Sequence, residues 1–572
     1  SFVVHTCALG SPQKRARARS PQMARKEVAG PAEAWEVLLP IANKLFLLCA
    51  RRAPRLPTSD DAPGICPPPP PPLLPPPDVP YHDLRMQIID VCLRMESLGI
   101  NQGTSGNVSL RVPGDGGFLV TASGVAYDTM TPDQVVYMNL DGGYFGDFLP
   151  SSEWRCHYDL HRRVKSARAI VHAHPTYCAA LSAQRRGIPG FHYLIPGAGG
   201  NEIRCAEYAT FGTQELSDAI ISAMGSTRSV LMANHGAITW GDTLEDALLL
   251  AQETEHLART YVLALSMGAV PAPLPDEELA TLSERLEVAR QQRLQVMAMA
   301  PWNREDPEAL PHSQGRRQLA EACKSLVQKK VVSGVGASAS CRADGGFLIT
   351  AAGVPLEMVG PEHIVFVDFT DSPAGVGRGL APTAEWRLHR QVYLDAAEAQ
   401  GVVHAQSPHC AAMSAHLKPM RCFHYMVGAI AGDKVIACAA YAPPGSQALA
   451  EGASKAMQNG RLRAALLANN GMVCWGPSLA KAAWAANELE CCAHQYIAAC
   501  STGMEPVVLD DSEMEVCLAK FKTYGKSKID ANSGLSAFEV KHAIVAPKFA
   551  GPIACGCCAP PKDEPDDLRN LV

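Results

Sequence analysis

The chain has 572 residues, a formal net charge of −6, 47% hydrophobic and 19% charged residues, a composition that suits a folded globular protein and exceeds what one hydrophobic core serves. No long Lys/Arg stripe interleaved with aromatics runs through it, so nucleic acid is not an expected partner. The apolar stretch from Val37 to Ala50 is broken by Pro40 and Lys44 and falls short of the roughly 20 residues a membrane span needs, so no membrane partner is expected either.

Residues 1–80 carry Lys14, Arg15, Arg17 and Arg19 and little periodicity, and 67–80 are nearly all proline, a composition that favours polyproline II and cannot build a packed core. They are expected to form a disordered extension. An Arg-rich opening is also the composition of an organelle-targeting peptide, although the acidic residues between Glu27 and Glu36 count against it; the default expectation is the cytoplasm. From Tyr81 the apolar residues fall at helical spacing, and a Gly/Asn-rich turn follows. Short β-rich runs at Phe118–Thr121, Val135–Asn139, Ala169–His172 and Ser229–Met232 then alternate with helical stretches such as Leu244–Leu265.

The same order of segments then recurs. Gly117-Phe118-Leu119-Val120-Thr121 lies over Gly346-Phe347-Leu348-Ile349-Thr350, Glu153-Trp154-Arg155 over Glu385-Trp386-Arg387, Val171-His172-Ala173 over Val403-His404-Ala405, and Phe191-His192-Tyr193 over Phe423-His424-Tyr425. A period of about 210 residues is too long for a solenoid and means two copies of one whole domain. The predicted organisation is an α/β domain at 81–290, a linker at 291–311 with Pro301, Pro307 and Pro311, a second copy at 312–530, and a disordered tail at 531–572. The twenty cysteines lie scattered in apolar runs and read as reduced thiols rather than a disulfide framework.

His172 and His174 stand two apart in a run that reads as a strand, so both side chains project from one face. His235 ends an apolar run at Ala233-Asn234-His235-Gly236, a place for a side chain at a strand's end. A His-x-His pair alone is as often a core feature as a ligand pair, but three imidazoles make a catalytic zinc set. Glu153, after Pro150-Ser151-Ser152, adds a fourth ligand or a base beside the metal.

Asn101-Gln102-Gly103-Thr104-Ser105-Gly106-Asn107-Val108-Ser109, Pro150-Ser151-Ser152-Glu153-Trp154-Arg155, His172-Ala173-His174 and Tyr208-Ala209-Thr210-Phe211-Gly212-Thr213 occur in that order. With these motifs the first copy resembles the L-fuculose-phosphate aldolases of the class II aldolase/adducin superfamily over essentially all of 81–290. The resemblance implies two tandem three-layer α/β/α domains, each on a central mixed, mostly antiparallel sheet. It implies one Zn2+ per chain, held in the first domain by His172, His174 and His235, with Glu153 leaving the metal to move the substrate's proton. Removing a proton next to a ketone leaves an enolate, whose charge a divalent cation stabilises where it develops. The substrate's phosphate would sit against Gly106, Asn107, Ser123, Gly124, Ser151 and Ser152, and Phe211 would line the pocket. The implied substrate is a ketose 1-phosphate resembling L-fuculose 1-phosphate, split to dihydroxyacetone phosphate and an aldehyde. Glu at 153 favours aldolase over the epimerases of the same scaffold, while dehydratases and other lyases share it. A non-catalytic, adducin-like scaffold is the reading from another class. Gly197-Ala198-Gly199-Gly200-Asn201 lacks the order and the acidic partner of a dinucleotide loop.

The second copy keeps Glu385 and His404 but has Gln406 and Asn470 where His174 and His235 stand, and Ala337, Ser338, Ala352, Thr383 and Ala384 face the phosphate residues. No independent activity is expected there. It keeps Tyr425, Phe521 and Tyr524, whereas Leu286 and Ala289 stand for the last two in the first copy when Asp276 is laid over Asp511. In the family a ring of four subunits builds each site at an interface, and the tyrosine matching Tyr193 and Tyr425 comes from the neighbour to protonate the aldehyde oxygen, which makes both catalytic candidates. The losses therefore imply a homo-oligomer: two chains making a pseudo-tetrameric ring, with Tyr425, Phe521 and Tyr524 serving the zinc site of the first copy.

Overall fold

The computed structural model describes residues 81–114, 116–298, 309–332, 336–370 and 380–521, all within one compact unit. The Pro-rich extension, the tail from 531, Tyr524 and residues 299–308 of the expected linker lie outside them.

The first copy opens with α1 (His82–Ser97), whose buried face carries Ile88, Ile89, Cys92 and Met95. An eight-stranded sheet follows: β1 (Asn107–Arg111), β2 (Phe118–Thr121), β3 (Val135–Met138), β4 (Tyr144–Phe145), β5 (Ala169–Ala173), β6 (Cys205–Ala206), β7 (Ser229–Met232) and β8 (Gly236–Gly241), in the order β4-β3-β2-β1-β5-β8-β7-β6. Every pairing is antiparallel except β6 with β7. The expected mixed, mostly antiparallel sheet is present. Strands β2, β5 and β7 are buried throughout, because helices cover both faces, and this is why they read as continuous apolar runs rather than alternating ones. Helices α2 (Trp154–Arg163), α3 (Thr176–Ala183), α4 (Gln214–Met224), α5 (Leu244–Leu265) and α6 (Asp276–Ala298) supply the layers. α5 matches its sequence bounds and is started by Thr243, whose hydroxyl accepts from the Asp246 amide at 3.1 Å. α6 runs on through 291–298, so the first stretch expected as linker continues a helix.

The second copy repeats the plan. α7 (Ser313–Gln328) precedes β9 (Ala337–Ala343), β10 (Gly346–Thr350), β11 (Ile364–Asp368) and β12 (Gly401–Ala405), with α8 (Trp386–Asp395) before β12 and α9 (Pro408–Ser414) after it. β13 (Met420–Arg421) and β14 (Val435–Ile436) form a separate ribbon around α10 (Met426–Ala431). β15 (Cys438–Ala439), α11 (Gln447–Ala456), β16 (Ala464–Leu467), β17 (Gly471–Gly476), α12 (Leu479–Cys500) and α13 (Asp511–Phe521) complete it, in a sheet ordered β11-β10-β9-β12-β17-β16-β15. α6 and α13 begin at Asp276 and Asp511, the register the sequence overlay uses.

The copies pack on one another. α9 lies on α5, Ala415 and Tyr441 join the apolar cluster around Phe191 and Tyr261 of the first copy, and the Asn469 amide donates to the carbonyls of Phe191 at 2.8 Å and Ala272 at 3.0 Å. The cysteines among the described residues are free thiols, and no helix there is long and apolar enough to cross a membrane.

Candidate metal centre and active site

His172 sits on β5, between β1 and β8, directly opposite Asn107 and Ile238. His174 lies one residue past the strand's end, where its amide donates to Asn101 Oδ1 at 3.3 Å. His235 is carried by the turn from β7 to β8, with Asn234 in the left-handed region at φ 57. That turn closes against His174 because residue 236 is glycine: a Cβ there would stand 2.4 Å from the Ala173 carbonyl and 2.8 Å from His174 Cδ2. Glu153 immediately precedes α2 in a turn tied down by Ser151, whose amide donates to Thr121 O at 2.9 Å and whose hydroxyl accepts from the Glu153 amide at 3.2 Å.

These four side chains converge. The three rings stand 4.8 to 4.9 Å apart, and one ring nitrogen from each lies within 4.8 Å of the others. His172 Nε2 is 3.0 Å from His174 Nε2 and 3.1 Å from Glu153 Oε2, and His235 Nε2 is 3.2 Å from Glu153 Oε1. His172 Nδ1 donates to the Ala237 carbonyl at 2.9 Å, which turns Nε2 into the cluster; burial alone would lower this imidazole, but Glu153 and the Ala237 carbonyl outweigh it and raise it above its ordinary range. Burial and the neighbouring imidazoles push His174 and His235 down to about 4, so both are neutral at physiological pH. Burial alone would raise the Glu153 carboxyl, but His172, His235 and the Asn107 amide outweigh it and hold the group well below the ordinary carboxylate range. Glu153 Oε1 is buried without an aligned hydrogen bond. Converging lone pairs with an anion among them are what a divalent cation satisfies, so the donor set fits one; among the described residues it is the one such His/Cys/Asp/Glu cluster.

A cavity of about 410 Å³ opens on the cluster. Gly106, Asn107, Ser123, Gly124, Ser151 and Ser152 all line it together with Glu153, His174 and His235, and Tyr208 and Phe211 stand at its exposed rim. None of the lining residues is Lys or Arg, so an anion there would meet hydroxyls, amides and the imidazole cluster.

Within one chain neither candidate tyrosine reaches this cavity. Tyr193 is buried against the second copy, its hydroxyl accepting from Gln406 Nε2. Tyr425 is 46% exposed, stacked between His424 at 4.5 Å and Phe521 at 6.2 Å between ring centroids. In the second copy's centre, His404 Nε2 is 2.9 Å from Asn470 Oδ1, and Glu385 accepts from the Gly445 amide at 3.1 Å.

The sequence reading assigned no role to the side chains behind Glu153. The Asn107 amide donates to Glu153 Oε2 at 3.0 Å and accepts from His157 Nε2 at 2.5 Å; His157 Nδ1 meets Ser109 Oγ at 2.6 Å, and that oxygen meets His161 Nε2 at 2.8 Å. The signal available was a histidine pair four apart on the helix that Glu153 opens, which puts both rings on one face.

The fold, present twice, and this constellation, present in the first copy, define a class II aldolase-type domain. The sequence model of the class II aldolase and adducin N-terminal domain family matches residues 86–262 and again 317–497, and the chain belongs to that family. The chain is 43% identical over 204 residues to the L-fuculose phosphate aldolase of Escherichia coli (strain K12), covering 36% of this chain and 94% of the relative. It is 41% identical over 204 residues to the 5-methylthioribulose-1-phosphate/5-deoxyribulose-1-phosphate aldolase of Rhodospirillum rubrum, covering 36% and 91%. A solved structure of L-fuculose 1-phosphate aldolase, 34% identical, aligns with 36% of this chain and 97% of that one at a TM-score of 0.35.

Proposed function

We propose that the chain is a zinc-dependent aldolase that reversibly splits a ketose 1-phosphate of the L-fuculose 1-phosphate type into dihydroxyacetone phosphate and an aldehyde. The observation that carries this reading is the convergence of His172, His174 and His235 on Glu153 at the floor of a cavity lined by the glycines and serines of the phosphate motifs. A Zn2+ held by the three imidazoles supplies Lewis-acid polarisation of the substrate's carbonyl and hydroxyl oxygens. Ser123, Ser151 and Ser152 hold the phosphate by their hydroxyl donors, and Gly106 and Gly124 let the backbone approach it, Gly124 at φ 72. In the joining direction Glu153 accepts the proton lost from the carbon next to the ketone of dihydroxyacetone phosphate. The aldehyde oxygen takes up a proton as the new carbon–carbon bond forms. Tyr425 of a second chain is the proposed donor, with Phe521 stacked beside it and Phe211 on the facing rim. Tyr193 is spent on the second copy's centre and does not take part.

The test is metal analysis of the purified full chain with a cleavage screen over ketose 1-phosphates. One zinc per chain and release of dihydroxyacetone phosphate are expected. A chain that retains no metal after purification in zinc sinks the reading and leaves the adducin-like scaffold, and one that carries zinc but cleaves none of the sugars sinks it in favour of another metal-dependent lyase, dehydratase or epimerase of the superfamily.

A further inference from the structure

Asn107 stands between a buried imidazole and the proposed base, and its amide can be turned only one way. An amide offers an oxygen on one side and an NH2 on the other. Turned with Oδ1 towards Glu153, it would set two acceptors against each other beside a carboxylate, a buried repulsion. With Nδ2 towards Glu153 Oε2 at 3.0 Å, Oδ1 faces His157 Nε2 at 2.5 Å, so that nitrogen must carry the ring's hydrogen. His157 is fully buried, and burial pushes it down to about 3, which leaves a neutral ring with a single N–H. Its Nδ1 is then an acceptor, and the one hydrogen of the Ser109 hydroxyl, 2.6 Å away, turns to it rather than to His161 Nε2 at 2.8 Å, whose ring donates from Nδ1 to the Ala167 carbonyl. Glu153 and His157 therefore hold Asn107 in one orientation between them, and Asn107 fixes one oxygen of Glu153 while Oε1 makes no aligned bond.

The second copy is an internal comparison. It has the same histidine, His389, on the same helix, but its Nε2 meets the Ser338 hydroxyl at 2.8 Å and its Nδ1 the Ser340 hydroxyl at 2.7 Å. A hydroxyl turns to either role and imposes no orientation. Glu385 takes its hydrogen bond from the Gly445 backbone instead. Only the copy with three convergent imidazoles places an amide between this histidine and the carboxylate.

We propose that His157 is a positioning residue of the first copy's centre: acting through Asn107, it holds the Glu153 carboxylate with one oxygen fixed and the other free for the substrate's proton. It never touches substrate or metal. The inference rests on the aldolase reading above.

The experiment uses the full chain with His157→Leu, His157→Gln and, as the measure of fold cost alone, His389→Leu. His157→Leu should keep its zinc and its KM while kcat falls about tenfold to a hundredfold. His157→Gln, which keeps an N–H donor at the same reach, should recover most of that loss. His389→Leu should lower the melting temperature by a similar amount with kcat unchanged. The proposal is overturned if His157→Leu loses no more kcat than His389→Leu, or if it loses activity only in step with its zinc. Should the unmodified chain cleave no ketose phosphate, the aldolase reading falls, and crystals of His157→Leu still decide this one. A Glu153 carboxylate rotated away from Asn107 Nδ2 supports it, and an unmoved carboxylate refutes it.

Discussion

Glu153 and His172 lie 3.1 Å apart, yet their substitutions should fail in different ways. His172→Ala removes an imidazole from the centre of the donor set, and two remaining rings hold zinc weakly; metal content and turnover should fall together. Glu153→Gln leaves the three rings in place and takes away only the proton acceptor. Zinc should stay near one per chain while kcat drops about 10²- to 10⁴-fold, the range for a lost general base; a Gln variant that turns over at the unmodified rate would remove Glu153 from the chemistry. Gly236 is the residue on which the turn depends. Gly236→Ala drives a Cβ into the Ala173 carbonyl and the His174 ring, an overpacking cost of about 1–3 kcal/mol, and should lower zinc affinity measured by competition with a chelator. At this scale the sequence shows ligands more readily than their support. His172, His174, His235 and Glu153 stand out by type and spacing, whereas His157 and Ser109 act through tautomer and orientation, which arise only when β1 and α2 are brought face to face.

The elements that position the site divide by how local their causes are. α5 is legible to its last residue because Thr243 caps it and its apolar residues recur without interruption. β5 is legible as a strand, but His174 falls outside it, since Pro175 follows and the strand ends at Ala173. The continuation of α6 to Ala298 escaped notice because the prolines that mark the linker begin only at Pro301. What holds α6 to α5 is also invisible in a linear reading. Asp246, 1% exposed near the start of α5, accepts from Arg290 at 2.8 Å and from Arg228 and Arg293 at 3.2 Å. Removing it leaves the largely buried Arg228 without a carboxylate, while Arg290 keeps Asp242 at 2.6 Å and Glu287 at 2.7 Å and Arg293 keeps Glu253 at 3.8 Å, a loss of about 3 kcal/mol. Asp246→Ala should therefore lower the melting temperature by on the order of 10 °C, read by calorimetry on the full chain. A change of a degree or less would mean that solvent or other carboxylates already balance those arginines.

On the scale of the whole chain, the repeat is legible because each copy keeps its own motifs, but which copy serves which site is settled by packing. The in-chain contact joins the Phe191–Tyr193 segment of the first copy to the Asn469–Asn470 turn of the second and commits Tyr193 to Gln406. The counterparts of these two surfaces remain open: Tyr425 is 46% exposed on the second copy, and on the first Asn234 is exposed beside His235, with Phe211 64% exposed at the cavity rim. In the proposed ring, a second chain related by a twofold axis closes the head-to-tail contact by pairing the remaining donor face with the remaining acceptor face. The proposed pairing then puts Tyr425 only at the zinc site of its partner, and two inactive variants should rescue each other. His172→Ala lacks a competent first copy but carries Tyr425; Tyr425→Phe has the reverse defect. When the two are unfolded together in equal amounts and refolded, half of the pairs are mixed and each mixed pair holds one complete site of two, so about a quarter of the unmodified activity should return. Tyr425→Arg, which sets a charge into the same contact, should yield single chains by sedimentation that still bind one zinc, because the ligands all belong to the first copy. A mixture no more active than the average of its parents, or an unmodified chain that sediments alone at full activity, would place the proton donor within the chain and break the ring.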